Sequence, residues 1–219
     1  MNDFVKDLII PKAKVYHHPK LTEPTDLKEL INKIYNYQGH YSTKNALKFA
    51  LHIPLRANNL ANLKWEYINF EDKSLTIPRD VMKIKNHNLP DFKVPLSNEV
   101  ISILKEQEEL TSYSDYVFLS VNNTPINPNT PNTALKRMGY ENKQTLHGFR
   151  GICRSLLDTY QEKHNLSYEV KKRFLDHQEE NKTEQAYNHQ AIFFEQMKPL
   201  VKWWSTYLES LRELGNAIN

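Results

Sequence analysis

Apolar positions recur at helical spacing along most of the chain and at strand spacing in one stretch. Leu27, Leu30, Ile31 and Ile34 fall at i, i+3, i+4 and i+7, the stripe of an amphipathic helix. Thr25 stands where an N-cap belongs. A second helix opens at Ser42, with Ala46, Phe49, Ala50 and Ile53 on one side, and Pro54 ends or kinks it. A short helix passes through Leu60 and Leu63. The period then changes: Ile68 and Phe70, followed by Leu75 and Ile77, alternate with polar neighbours and predict a hairpin turning at 71–74. An extended piece at 81–84, a turn-rich gap at 86–91 and a returning segment at 92–95 complete a small antiparallel sheet over residues 66–96.

From Ser97 the pattern is helical again, with Val100, Ile103 and Leu104 on one face. Residues 116–119 are short and strand-like. Thr130-Pro131 is an N-cap followed by proline at the first helical position, and Gly139 is a stop. Helices are predicted at about 147–162, 168–176 and 181–190. A last one at about 196–214 has Leu200, Trp203, Trp204, Tyr207, Leu208 and Leu211 on its apolar stripe. The predicted fold class is α+β, mainly α: a helical domain with a small antiparallel β-sheet. Residues 1–24, in which PKAKVYHHPKLTEPT carries three prolines and no helical period, are expected to be a linker. Residues 25–219 form the compact domain.

Composition narrows the function classes. No apolar run approaches the roughly 18 residues of a membrane span, so no membrane partner is expected. The start, MNDFVKDLII, lacks the parts of a signal peptide. A single cysteine, Cys153, excludes a disulfide scaffold and a Cys-based zinc site and indicates a reducing, cytoplasmic setting. Neither GxGxxG nor GxxxxGK[ST] occurs among the few glycines, so no nucleotide cofactor is expected. H-E-x-x-H is absent and no carboxylate stands beside His147, which argues against a metal-dependent nuclease. A net charge of +3 permits nucleic-acid binding without indicating it.

The chemistry is concentrated in a few segments. LHIPLRANNLANLKWEYINFED carries Arg56 at a helix start. In TLHGFRGICRSLL, His147 and Arg150 are three apart and share a helix face. In RFLDHQEENKTEQAYNH, His177 precedes Tyr187 by ten residues. VMKIKNHNLPDFKVPLS offers a turn-borne lysine, Lys83 or Lys85. Two arginines, a lysine, two histidines and a tyrosine are a set able to break a phosphodiester without metal. That reaction needs a nucleophile, an acid for the leaving oxygen and fixed positive charge on the phosphoryl oxygens. Guanidinium forks match phosphate.

These motifs, in this order, resemble the tyrosine recombinases, or phage integrases, and within them the integrases of prophages and genomic islands. The likeness covers residues 25–210. It rests on LRANNLANLKW, on IPRDVMK ahead of VPLS, on LHGFR, on LDH, on AYN and on the tandem tryptophan Trp203/Trp204. It implies the tyrosine-recombinase catalytic fold and site-specific recombination that integrates or excises a mobile element through a 3′-phosphotyrosyl intermediate. It assigns Arg56 and Arg150 to the phosphoryl oxygens. Lys83, favoured over Lys85 by the MK register, protonates the 5′ oxygen. His147 accepts the tyrosine proton or hydrogen-bonds the phosphate, His177 donates to a phosphoryl oxygen, and Tyr187 attacks. The implied partner is double-stranded DNA at attachment sites, gripped by a homotetramer of the full-length protein in the bacterial cytoplasm and nucleoid.

Two departures stand out. Asn59 occupies a position, three after Arg56, where the family usually has an acidic residue bracing the site. The arm-binding and core-binding domains usual in this subgroup do not fit in residues 1–24 and are read as absent from this chain. Basic groups at 79–93, Lys136/Arg137 and Lys171–Arg173 are candidate phosphate contacts, each with a solvated face as its plain alternative. A degenerate integrase-fold module that binds DNA without cutting it, and a type IB topoisomerase sharing the chemistry, are the rival readings.

Overall fold

The computed structural model describes residues 19–21, 23–85, 89–176 and 190–216. The first predicted stripe is entirely inward: α1 (Pro24–Tyr35) buries Leu27, Leu30, Ile31 and Ile34. The helix begins two residues earlier than Thr25 as a cap suggests. Glu23 is the cap and Pro24 takes the first turn, where a missing N–H leaves nothing unsatisfied. The second helix, α2 (Tyr41–His52), is buried on almost every side and is the hub of the fold. It packs against α1 and later helices, and Ile53 and Pro54 end it. A helix buried all round must satisfy its polar groups internally. The Ser42 hydroxyl and the Asn45 amide N–H do so through Gln107, at 3.0 and 3.1 Å, while Asn45 Oδ1 has no hydrogen-bond partner among the described residues. The short α3 (Ala57–Ala61) follows immediately.

The sheet has three antiparallel strands in the order β1 (Ile68–Asn69), β2 (Ser74–Ile77), β3 (Phe92–Pro95). Leu75 lies opposite Val94 and Ile77 opposite Phe92, and all four are buried. The extended piece predicted at 81–84 is not a strand. Arg79–Val81 is a single 3-10 turn, and the Val81 carbonyl accepts from the Asn59 side chain of α3 at 3.1 Å. That backbone acceptor is used on a helix and not in a ladder. The gap read at 86–91 falls partly on residues 86–88, outside those described. Residues 116–119 form isolated bridges, Lys64 with Tyr116 and Leu119 with Pro125, and no strand.

The second half is helical: α4 (Asn98–Thr111), α5 (Thr130–Leu135), α6 (Leu146–Thr159), α7 (Gln161–His164), α8 (Tyr168–Phe174) and α9 (Gln190–Asn216). Ser97 caps α4 by accepting from Val100 N at 3.3 Å. Gly139 takes φ 89 in the wide turn after α5, a conformation strained for residues with a Cβ. The single helix predicted at 147–162 is broken at Tyr160 into α6 and α7. The predicted helix at 181–190 lies outside the described residues apart from Gln190, which begins α9, six residues before the predicted start. Leu200, Trp204, Leu208 and Leu211 are buried, and Trp204 Nε1 donates to the Leu51 carbonyl of α2 at 2.9 Å. Trp203 is partly buried and stacks on Tyr207, with centroids 5.4 Å apart. Among the described residues, no helix is long and apolar enough to cross a membrane.

Candidate active site

The turn between α2 and α3 supplies the first arginine and holds the second. Pro54 cannot continue α2, so the chain folds back through Leu55 and leaves Arg56 as the N-cap of α3. The Pro54 carbonyl accepts from Arg150 Nη1 at 2.8 Å. Arg150 enters from α6, across the core, and its Nη2 donates to the Leu175 carbonyl. Arg56 donates to the next residue: Nη2 to the Asp176 carbonyl at 3.2 Å and Nη1 to the Asp176 carboxylate at 2.6 Å. The two guanidinium groups thus grip consecutive carbonyls on the segment that leads into His177. Each has five N–H donors in a fixed fork, so donors remain for a bound anion. Arg150 is 5% exposed. Burial first, and then the charge of Arg56, bring its pKa down to about 10, with Asp176 opposing. It stays cationic at neutral pH.

The start of α6 sets where His147 stands. Thr145 caps the helix by accepting from Gly148 N at 3.0 Å. Gln144 is buried and accepts from Leu21 N at 2.8 Å. A Cβ on Gly148 would lie 2.5 Å from the Pro19 carbonyl, so glycine is what lets residues 19–21 close against the helix. His147, on this first turn, is exposed, and Arg150 lies one turn further in. Lys83 is exposed, next to the buried Met82, on the segment tied to α3 by Asn59.

The structure therefore brings Arg56 and Arg150 together and tethers the Lys83 segment to the helix that Arg56 caps. It sets His147 on the same helix as Arg150. His177 and Tyr187 lie outside the described residues. Two residues at this site are not placed in it by the sequence: Asp176 has no role there, and Arg79 stands only among the candidate phosphate contacts at 79–93. Asp176 is 2% exposed, and its second carboxylate oxygen accepts from Arg79 Nη1 at 2.9 Å. Arg79, 5% exposed, also donates Nε to the Pro90 carbonyl at 2.8 Å. Burial of an arginine and an aspartate so far apart in sequence leaves no periodic signal. The one available hint is that both stand inside the IPRDVMK and LDH motifs.

Some of the basic groups considered as phosphate contacts are already engaged. Arg79 belongs to the Asp176 pair. Lys171 is buried and bonded to Asp158 and Gln161, at 2.5 and 2.8 Å. Arg173 lies over the Phe193 ring at 3.8 Å. His164 bonds the Leu157 carbonyl at 2.7 Å and packs edge-on against Trp203. Among the described residues, no cluster of histidine, cysteine and carboxylate side chains is arranged to hold a metal ion.

The sequence profile of the phage integrase family matches residues 20–192. A putative protein IntB of Escherichia coli K12 is 32% identical over 210 residues, which is 90% of this chain and 52% of that one. The integrase of Enterobacteria phage P4 is 26% identical over 212 residues, covering 91% of this chain and 47% of its own. The chain spans about half the length of these curated relatives. Among solved structures, a lambda integrase tetramer bound to a Holliday junction shares the fold, with a TM-score of 0.53 and 16% identity over 78% of this chain and 50% of that one.

Proposed function

The chain belongs to the phage integrase family, and from that premise we propose that it cuts and rejoins double-stranded DNA at specific attachment sites, integrating or excising a mobile element. The observation that carries this reading is the pairing of Arg56 and Arg150 on the consecutive carbonyls of Asp176 and Leu175. Two cations fixed side by side, with spare N–H donors, suit the non-bridging oxygens of one phosphate.

The chemistry runs as a transesterification. A free tyrosine hydroxyl has a pKa of about 10 and is protonated at neutral pH; the hydroxyl of Tyr187 gives its proton to His147 and attacks the phosphorus. Arg56, Arg150 and His177 stabilise the charge growing on the phosphoryl oxygens. The bond to the 5′ oxygen breaks, and Lys83 supplies the proton that makes it a hydroxyl. The products are a 3′-phosphotyrosyl enzyme and a free 5′ hydroxyl. Attack by a 5′ hydroxyl from another strand reverses the steps, releases Tyr187 and restores a phosphodiester, so neither ATP nor a metal is consumed.

The assembly proposed is a homotetramer on DNA, by likeness to the junction-bound lambda integrase, acting in the bacterial cytoplasm. This chain carries the catalytic part, 25–219, with 1–24 as the connecting segment. Incubation in EDTA with a pool of nicked suicide duplexes carrying a randomised core tests the reading. An SDS-resistant protein–DNA adduct from the wild type and none from Tyr187→Phe is the result expected. DNA binding without any adduct would favour the non-cutting module, with Asn59 as its mark.

A further inference from the structure

Asp176 joins an interior cation to a partly exposed one. Arg79 is held inside the protein: its Nε is on the Pro90 carbonyl at 2.8 Å, and its backbone N–H donates to Asp91 Oδ1 at 2.9 Å. Its Nη1 reaches Asp176 Oδ1 at 2.9 Å, and Asp176 Oδ2 reaches Arg56 Nη1 at 2.6 Å. The Arg56 side chain is 20% exposed, against 6% for that of Arg79. The chain of contacts therefore runs from a fixed anchor, through a buried carboxylate, to the guanidinium at the surface of the site. Asp176 also takes left-handed backbone, φ 47, which turns its carbonyl onto Arg56 Nη2. Side chain and main chain of one residue fix both ends of the Arg56 fork.

We propose that Asp176, anchored by Arg79, is a positioning residue for strand cleavage, holding the Arg56 guanidinium in the orientation that meets the scissile phosphate. The proposal rests on the reading of Arg56 as a phosphate ligand. Arginine has a long flexible stem, and a small misplacement of a reacting or charge-stabilising group costs a large factor in rate. The carboxylate has an opposite effect on affinity. It puts a negative charge beside a group that attracts phosphate, and phosphate contacts dominate DNA affinity. Cleavage and binding should therefore respond to its loss in opposite directions, which a residue serving only to stabilise the fold would not produce.

Asp176→Asn is the variant that separates them, because asparagine has the same shape and also tolerates left-handed backbone. It would leave three arginines, 56, 79 and 150, close together, so Asp176→Asn/Arg79→Met, which restores the local charge balance, is made alongside it. Each is assayed for adduct formation on the randomised suicide duplex pool at saturating DNA, for affinity to a mixed-sequence duplex, and for melting temperature. The inference expects both variants to cleave on the order of tenfold or more slowly, with Asp176→Asn binding as tightly as wild type or tighter. It is overturned if either folded variant cleaves at the wild-type rate, or if rate and affinity fall together with the folded fraction. Arg56→Lys in the same assay separates the two levels. If Arg56→Lys is slow and Asp176→Asn is not, the positioning role alone is wrong. If Arg56→Lys cleaves like wild type, or the wild type forms no adduct, the reading of Arg56 falls and the inference falls with it.

Discussion

Arg56 and Arg150 hold neighbouring links of one backbone, the carbonyls of Asp176 and Leu175, although they come from helices almost a hundred residues apart. The two residues they hold are the first two of LDH, directly before His177. Whatever binds the two guanidinium groups is thereby coupled to the backbone that carries His177.

Arg150→Ala should lose activity and stability together. The Pro54 and Leu175 carbonyls each lose their guanidinium partner, at a cost of about 2–4 kcal/mol. Transition-state charge also loses a donor, for a fall in cleavage on the order of a hundredfold or more. Arg150→Lys keeps the charge but cannot span both carbonyls, so it should be more stable than the alanine variant and still slow. Thermal melting together with single-turnover cleavage separates the two effects.

Lys83 and Lys85 are distinguished by leaving-group chemistry. Lys83→Ala should slow cleavage of an ordinary phosphodiester. It should recover on a duplex whose 5′ bridging oxygen is replaced by sulfur, since a thiolate leaves without needing the proton. Lys85→Ala should behave like wild type on both substrates. Recovery in Lys85→Ala and not in Lys83→Ala would reverse the assignment.

Gly148→Ala should be destabilised by about 1–3 kcal/mol. The new Cβ meets the Pro19 carbonyl at 2.5 Å, and backbone must move to relieve it. Because His147 is the preceding residue, cleavage should fall as well. A melting temperature equal to wild type would show that residues 19–21 do not close on α6 in solution.

The helices were legible because their burial is periodic. Leu27, Leu30, Ile31 and Ile34 state α1 outright, and Pro54 states where α2 stops. The strand predicted at 81–84 failed because a side chain, Asn59, captures the Val81 carbonyl from outside the sheet, and no local pattern encodes that. At the candidate site, motifs singled out Arg56, His147 and Arg150, and the structure brings the two arginines together. Arg79 and Asp176 were not, since their pairing joins positions 97 residues apart and a buried ion pair looks, in sequence, like two surface charges.

His52 should give the stability an acid limb. It is buried in α2, with Ser205 Oγ at 2.9 Å and the Tyr35 hydroxyl at 3.4 Å. Burial lowers its pKa from 6.5 to about 4, with Glu209 and Glu99 opposing and Arg212 assisting. The unfolded chain therefore takes up the proton first. The stability held by the neutral ring is complete above pH 6.5, and is lost as the pH falls toward about 4, by about 3 kcal/mol in all. Urea unfolding between pH 7 and 4 measures this, and His52→Gln should flatten the slope relative to wild type.

Cleavage by the proposed route leaves one tyrosine covalently joined to DNA. The most direct measurement is tandem mass spectrometry of the adduct formed on the suicide duplex pool, after nuclease and protease digestion. The expected product is a nucleotide joined through a 3′ phosphate to the peptide containing Tyr187, fragmenting to place the mass on that residue. A nucleotide on any other residue, or on none in a protein that still cuts DNA, would contradict it.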